Sequence, residues 1–252
     1  MDYSSQIIVI ATAIGIASGS IGPFVLLEHL ALAGDALSHV ALPGIALALA
    51  YSIDPFWGVL ASLILAAYVV WAIRAKTKLP GDALIGVLFT ASLAIGILTI
   101  PNQDIIDSLF GEFPALTGVE FILVVGTAVA LSMLIFLLAR RFTFLNLSRE
   151  LADVHKIGQK TELVFLLIFA IVVALGIKLV GTLLMGALTI IPALAARNIS
   201  RSMRGYLLIS AALGGIIGVF GIIIANYWNF LPGPTIVLFG IACFAASLLF
   251  RK

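Results

Sequence analysis

Residues 163–196 read L-V-F-L-L-I-F-A-I-V-V-A-L-G-I-K-L-V-G-T-L-L-M-G-A-L-T-I-I-P-A-L-A-A, an apolar run broken by a single charge, Lys178. A helix rising about 1.5 Å per residue needs about 20 apolar residues to cross a hydrocarbon core roughly 30 Å thick. The run is too long for one crossing, and Lys178 sits near its middle between Gly176 and Gly181. The sequence therefore predicts a tight reversal at Lys178, with its ammonium snorkelling to the interface, between short spans over 162–177 and 180–196. That division fixes the parity of the fold. Outward from it, the same criterion marks spans at 6–27, 35–52, 55–73, 82–100 and 118–139 on one side, and at 205–226 and 234–250 on the other. The expectation is nine spans, within bounds of eight to ten.

Composition agrees. The chain of 252 residues is 62% hydrophobic and 10% charged, whereas soluble domains carry about 25% charged residues. It reads as an all-α integral membrane protein, a polytopic helical bundle forming a single domain over 1–252. A net charge of +2, spread in short clusters between apolar runs, builds no face for nucleic acid. The single cysteine, Cys243, lies in an apolar stretch, so neither a disulfide framework nor a thiolate cluster is expected. The N-terminal segment lacks the basic flank of a cleaved signal and reads as the first span.

All but one of the 14 Lys and Arg residues fall in four groups: Arg74/Lys76/Lys78, Arg140 to Lys160, Arg197/Arg201/Arg204 and Arg251/Lys252. With nine spans every group lies on one face. The positive-inside rule makes that face cytoplasmic, placing the N-terminus outside and the C-terminus inside a multi-pass cell membrane protein. The opposite face collects Asp2, Asp54, Asp104, Asp107 and Glu112.

The longest polar interval, about 140–161, is expected on the cytoplasmic side. Within it, Ser148 suits a helix N-cap, Glu150 the first turn and Lys156 the last; Leu151, Val154 and Ile157 form an apolar stripe, and Gly158 is expected to end the helix. Such a helix either packs on its own protein or docks a cytoplasmic partner. Gly15/Gly19 and Gly214/Gly218 have G-x-x-x-G spacing, which suits close helix packing.

Chemistry concentrates in A-G-D-A-L-S-H-V-A-L-P-G-I at 33–45. Asp35 and His39 are four residues apart and share a helix face within reach of one ion. Ionisable groups at membrane depth are costly and usually mark an ion path, although Asp35 also suits a helix cap and His39 a satisfied buried histidine. Imidazole suits divalent transition metals, and a carboxylate adds charge. Pro43, followed by Gly44, removes the hydrogen bond to the His39 carbonyl, which predicts a kink and a freed carbonyl. Glu28 and His29 lie across an expected turn near the cytoplasmic boundary. I-G-Q-K-T-E at 157–162 lacks the upstream glycine of a phosphate-binding loop, and no H-E-x-x-H is present. Neither ATP binding nor an enzymatic activity is expected of this chain.

G-D-A-L-S-H-V-A-L-P-G-I-A at 34–46 is followed in order by D-A-L-I-G at 82–86 and S-L-F-G-E at 108–112. V-G-T-L-L-M-G-A-L-T-I-I-P-A-L-A-A-R at 180–197 and P-G-P-T-I-V-L at 232–238 come next. On these five motifs the chain resembles the permease subunits of ABC importers for zinc, manganese and iron, of the type II, metal-chelate kind. The resemblance implies a homodimer or a pair of similar permeases, two cytoplasmic ATP-binding subunits, and an extracytoplasmic metal-binding protein that suits the acidic outer face. It implies no bound cofactor, with the metal as cargo and ATP on the partner. Asp35 and His39 match the family's intramembrane metal-contacting pair, and 152–158, with Leu151, Ala152, Val154 and Gly158, the helix that seats in an ATPase groove. Many members carry basic residues where this chain has Glu28 and His29, which makes these two candidate accessory metal contacts at a cytoplasmic exit. The alternative is a secondary transporter or channel driven by an ion gradient, with Asp35 and His39 as a proton relay.

Overall fold

The computed structural model describes residues 3–77, 79–99, 118–147, 157–182 and 185–250. In chain order these form α1 (Tyr3–Leu27), α2 (Ala33–Val40), α3 (Leu42–Ala50), α4 (Pro55–Thr77), α5 (Gly81–Thr99), α6 (Gly118–Leu147), α7 (Ile157–Val180), α8 (Met185–Ile199), α9 (Met203–Trp228) and α10 (Pro232–Ser247). A 3-10 turn, Leu248–Phe250, follows. Among the described residues eight stretches are long and apolar enough to cross a membrane, with α2 and α3 together making one of them. The remaining apolar helix, α8, has 15 residues, about 22 Å at the usual helical rise and so short of a full crossing. It survives because it lies inside the protein: Met185, Ala193, Ala195 and Ala196 are fully buried.

The bundle is built around α1, whose span is 78% buried, against 22% for those of α5 and α6. Between helices in lipid the hydrophobic effect offers little, so close backbone contact must hold them together. Here α1 crosses α9 at the two G-x-x-x-G pairs. A Cβ on Gly15 would fall on the carbonyl oxygen of Gly214, one on Gly214 on that of Gly15, and one on Gly218 on that of Ala11. Ser210 Oγ donates to the Gly19 carbonyl at 2.5 Å in the same crossing. On the neighbouring side, Phe24, Phe142 and Phe165 meet edge to face at centroid distances of 5.3 and 5.5 Å, joining α1, α6 and α7.

Helix ends explain where the chain turns. The His29 N–H donates to Leu26 O and the Leu30 N–H to Val25 O, with His29 at φ 58°, the paired bonds of a Schellman cap. Ser52 (φ 55°) and Asn229 (φ 54°) take the same left-handed position after α3 and α9. Asp54 Oδ1 accepts from the Phe56 N–H at 2.8 Å and, with Pro55 at the first helical position, starts α4. Asp2, Asp104, Asp107 and Glu112 lie outside the described residues.

Three expectations are corrected. The reversal does not occur at Lys178: α7 runs on to Val180, and the chain turns at Gly181, φ 77°, whose N–H donates to Ile177 O at 2.8 Å. Glycine adopts that left-handed conformation without strain, whereas Lys178 is well placed in the last helical turn, where its charge opposes the helix dipole. Its Nζ lies 5.2 Å from the centroid of the Phe56 ring at the start of α4. The second span is not one helix but two, separated at Ala41. Gly158, expected at the end of a loop helix, is buried in the first turn of α7, and Ser148, Glu150 and Lys156 of that expected helix lie outside the described residues.

Candidate functional site

Helix α2 is preceded at its N-cap position by Leu32, whose backbone is already helical and whose side chain makes no cap. Asp35 is in the first turn, where its carboxylate complements the N-terminal end of the helix. It is exposed, and His39, one turn on, is half-buried. The two share the side of α2 that this chain leaves open, flanked by Leu32, 79% exposed, and by Leu47 of α3, 61% exposed. Leu32, not Asp35, holds the N-cap position, and the exposed Asp35 carboxylate stands one turn from His39 on α2.

The other side of α2 is held tightly. Ser38 is fully buried, and its hydroxyl lies 2.5 Å from the Thr182 carbonyl oxygen and 2.6 Å from that of Asp35. Backbone that leaves helical geometry inside a membrane protein must find partners within the protein, and Ser38 supplies one to the Gly181–Thr182 turn. At Asp35 the backbone itself is the contact: a Cβ on Gly186 would come 2.8 Å from both Asp35 N and Asp35 Cβ. The first and fourth sequence motifs thus meet, and their small residues set the position of the acidic one.

The His39 ring stands 5.5 Å from Phe89 of α5, tilted by 58°. Its Nδ1 is buried without a hydrogen-bond partner among the described residues. A buried polar nitrogen normally has a partner, so the unpaired Nδ1 marks a place where a ligand or a second chain would add one. Two residues after the break at Ala41 comes Pro43, which has no N–H to continue the helical ladder. The Ala41 N–H at the junction donates to the Ser38 carbonyl at 3.3 Å, and Pro43, four residues after His39, offers the His39 carbonyl no N–H. Gly44 serves contact: a Cβ there would fall on the Gly58 carbonyl oxygen and one on Gly58 on that of Gly44, so α3 crosses α4 backbone to backbone.

Glu28 is buried just beyond the end of α1, and His29 is exposed at its left-handed cap. Among the described residues no three His, Cys, Asp or Glu side chains converge on a metal site, so these two do not complete one with Asp35 and His39. Leu151, Ala152 and Val154 lie outside the described residues. Where the chain resumes at α7, two contacts with α4 went unread in the sequence. Trp71 Nε1 donates to Gln159 O at 2.8 Å, and the Arg74 guanidinium pairs with the Glu162 carboxylate. For the ion pair the available signal was opposite charge in a chain with few charges; the indole bond to a backbone carbonyl left none.

The ABC 3 transport family matches residues 1–251. The manganese import system permease protein ScaB of Streptococcus parasanguinis is 30% identical over 97% of this chain and 89% of its own length. The high-affinity zinc uptake system membrane protein ZnuB of Haemophilus influenzae is 31% identical over 95% and 94%. Among solved structures, PsaBC from Streptococcus pneumoniae in complex with Fab superposes with a TM-score of 0.82, at 27% identity over 98% of this chain and 91% of that one. A match over nearly the whole chain, with relatives aligned end to end, has one meaning: the chain belongs to the ABC 3 transport family.

Proposed function

We propose that this chain is the membrane-spanning permease subunit of an ATP-driven importer for a divalent transition metal, manganese or zinc, and that Asp35 and His39 contact the ion in transit. The observation that carries the site is the open edge of α2, where an exposed carboxylate stands one turn from an imidazole with an unpaired Nδ1. Carboxylate and imidazole together suit either ion. Two donors leave a divalent ion short of ligands, which keeps binding weak enough for release. A second copy of the chain facing the open edge of α2 would close the path and supply further donors.

Energy enters from a separate ATP-binding subunit on the basic face. The segment around Leu151, Ala152, Val154 and Gly158 docks it, and Trp71 and Arg74 pass its movement to α4. An extracytoplasmic binding protein delivers the metal to the opposite face, the side on which the N-terminus lies. The gradient-driven alternative is not favoured, because the relatives are named as permeases or membrane proteins of import and uptake systems. The test is uptake of radioactive manganese and zinc into vesicles holding the chain with its ATPase and binding protein. Uptake that requires ATP and all three components is expected; uptake by the permease alone, driven by an ion gradient, would refute the assignment.

A further inference from the structure

We propose that the cavity between the ends of α8 and α10 binds an anionic phospholipid, its phosphate held by Arg197 and Arg201 and an acyl chain lying along Phe244 and Leu248. The cavity measures about 710 Å³ and is lined by these four residues together with Asn198 and Ser200. It opens on the face where the basic residues collect, and the proposal stands independently of the transport reading.

Its back wall is fixed. Asn198 Nδ2 donates to Ser247 Oγ at 2.9 Å, and Ser247, 3% exposed, donates in turn to Phe244 O at 2.6 Å. These bonds tie the last turn of α8 to the last turn of α10 and hold the cavity open between them. Both arginines are exposed, and among the described residues neither meets a carboxylate at ion-pair distance. The C-terminal ends of α8 and α10 each contribute roughly half a negative charge, which leaves about one net positive charge from the two guanidinium groups. Guanidinium matches phosphate oxygens in bidentate geometry.

The apolar rim selects a lipid over other phosphate esters. Ile199 is 41% exposed, Leu248 44% and Phe250 66%. A phosphate with a hydrocarbon chain covers both the arginines and this rim, whereas a soluble phosphate leaves the rim bare. Basic pockets between membrane helices favour anionic headgroups by about 1 kcal/mol per Arg, roughly fivefold in affinity for each.

The test uses the full chain, purified in detergent, and compares retention of dioleoylphosphatidylglycerol with that of dioleoylphosphatidylcholine by native mass spectrometry. Wild type is expected to retain the phosphatidylglycerol selectively, the double variant R197Q/R201Q to lose roughly 25-fold in affinity, and R197K/R201K to keep most of it. Thermal unfolding in phosphatidylcholine reports whether the double variant folds; if it does not, R201Q alone is expected to weaken retention roughly fivefold. Equal retention of both lipids, or unchanged phosphatidylglycerol affinity in the glutamine variants, overturns the proposal. Displacement of the lipid by millimolar inorganic phosphate would reassign the cavity to a free anion. Weakened ATPase binding by R197Q/R201Q with lipid retention intact would reassign it to a protein contact.

Discussion

Ser38 Oγ lies 2.5 Å from the carbonyl oxygen of Thr182, so the helix bearing Asp35 and His39 is stitched to the buried turn between α7 and α8. Three residues before Ser38 is the carboxylate and one residue after it the imidazole. Any shift of that turn is therefore felt at both.

Removing this hydroxyl should loosen the site without removing a metal donor. Ser38→Ala loses a buried hydrogen bond worth about 1 kcal/mol, and should lower the thermal midpoint by a few degrees. Metal uptake should fall in rate more than in apparent affinity, with Ser38→Thr retaining more of both. Unfolding followed in detergent, together with initial rates of uptake, reads the two effects; unchanged values for Ser38→Ala would remove the positioning role.

The crossing of α1 and α9 leaves no room for a side chain at Gly214, where even a Cβ would overlap the Gly15 carbonyl oxygen. Gly214→Val should destabilise the protein by about 1–3 kcal/mol or more, as overpacking does. Gly126 of α6, where an added Cβ would meet nothing within 4 Å, provides the control: Gly126→Ala should be neutral or slightly stabilising, because alanine favours the helix by about 1 kcal/mol. Thermal midpoints of the two variants compared side by side decide the matter.

The pair Arg74 and Glu162 is mostly buried, with side chains 9% and 20% exposed. Losing one member strands the other charge, a change that costs about 3–5 kcal/mol in full burial and less here. Arg74→Gln and Glu162→Gln should each reduce ATP-dependent uptake strongly, and the exchange Arg74→Glu with Glu162→Arg should restore part of it. ATP hydrolysis that persists while uptake is lost would identify the pair as a transmission contact. Equal loss of hydrolysis and assembly would make it purely structural.

Much of this arrangement was legible in the sequence, for identifiable reasons. Long apolar runs announce membrane helices whatever surrounds them, and eight of the nine expected spans have a counterpart among the described residues long enough to cross, whereas the ninth, 180–196, is the 15-residue α8. The reversal in 163–196 was misplaced because a charge is a weaker turn signal than a glycine able to take φ 77°. The cap at Ser52 had no signal in its residue type, whereas Asn229 and His29 are types that take a left-handed backbone more readily but do not require it. The glycine pairs were visible as spacing, but only the fold shows that Gly15 meets Gly214 and Gly44 meets Gly58. Pro43 signalled the interruption in its helix; that the break falls two residues earlier, at Ala41, depends on local geometry that spacing does not encode. The joining of Ser38 to Thr182 links residues far apart in the chain, and no periodic pattern carries such a contact.

In the proposed path, Asp35 and His39 contact the metal as it crosses. Asp35→Asn combined with His39→Ala removes the charge and the imidazole from the open edge of α2 while leaving Ser38, Gly186 and the helix crossings in place. ATP-dependent manganese and zinc uptake into vesicles, measured with the partner ATPase and binding protein present, should be abolished in this variant, with thermal stability and ATPase assembly unchanged. Wild-type uptake by the double variant would rule out contact of Asp35 and His39 with the metal.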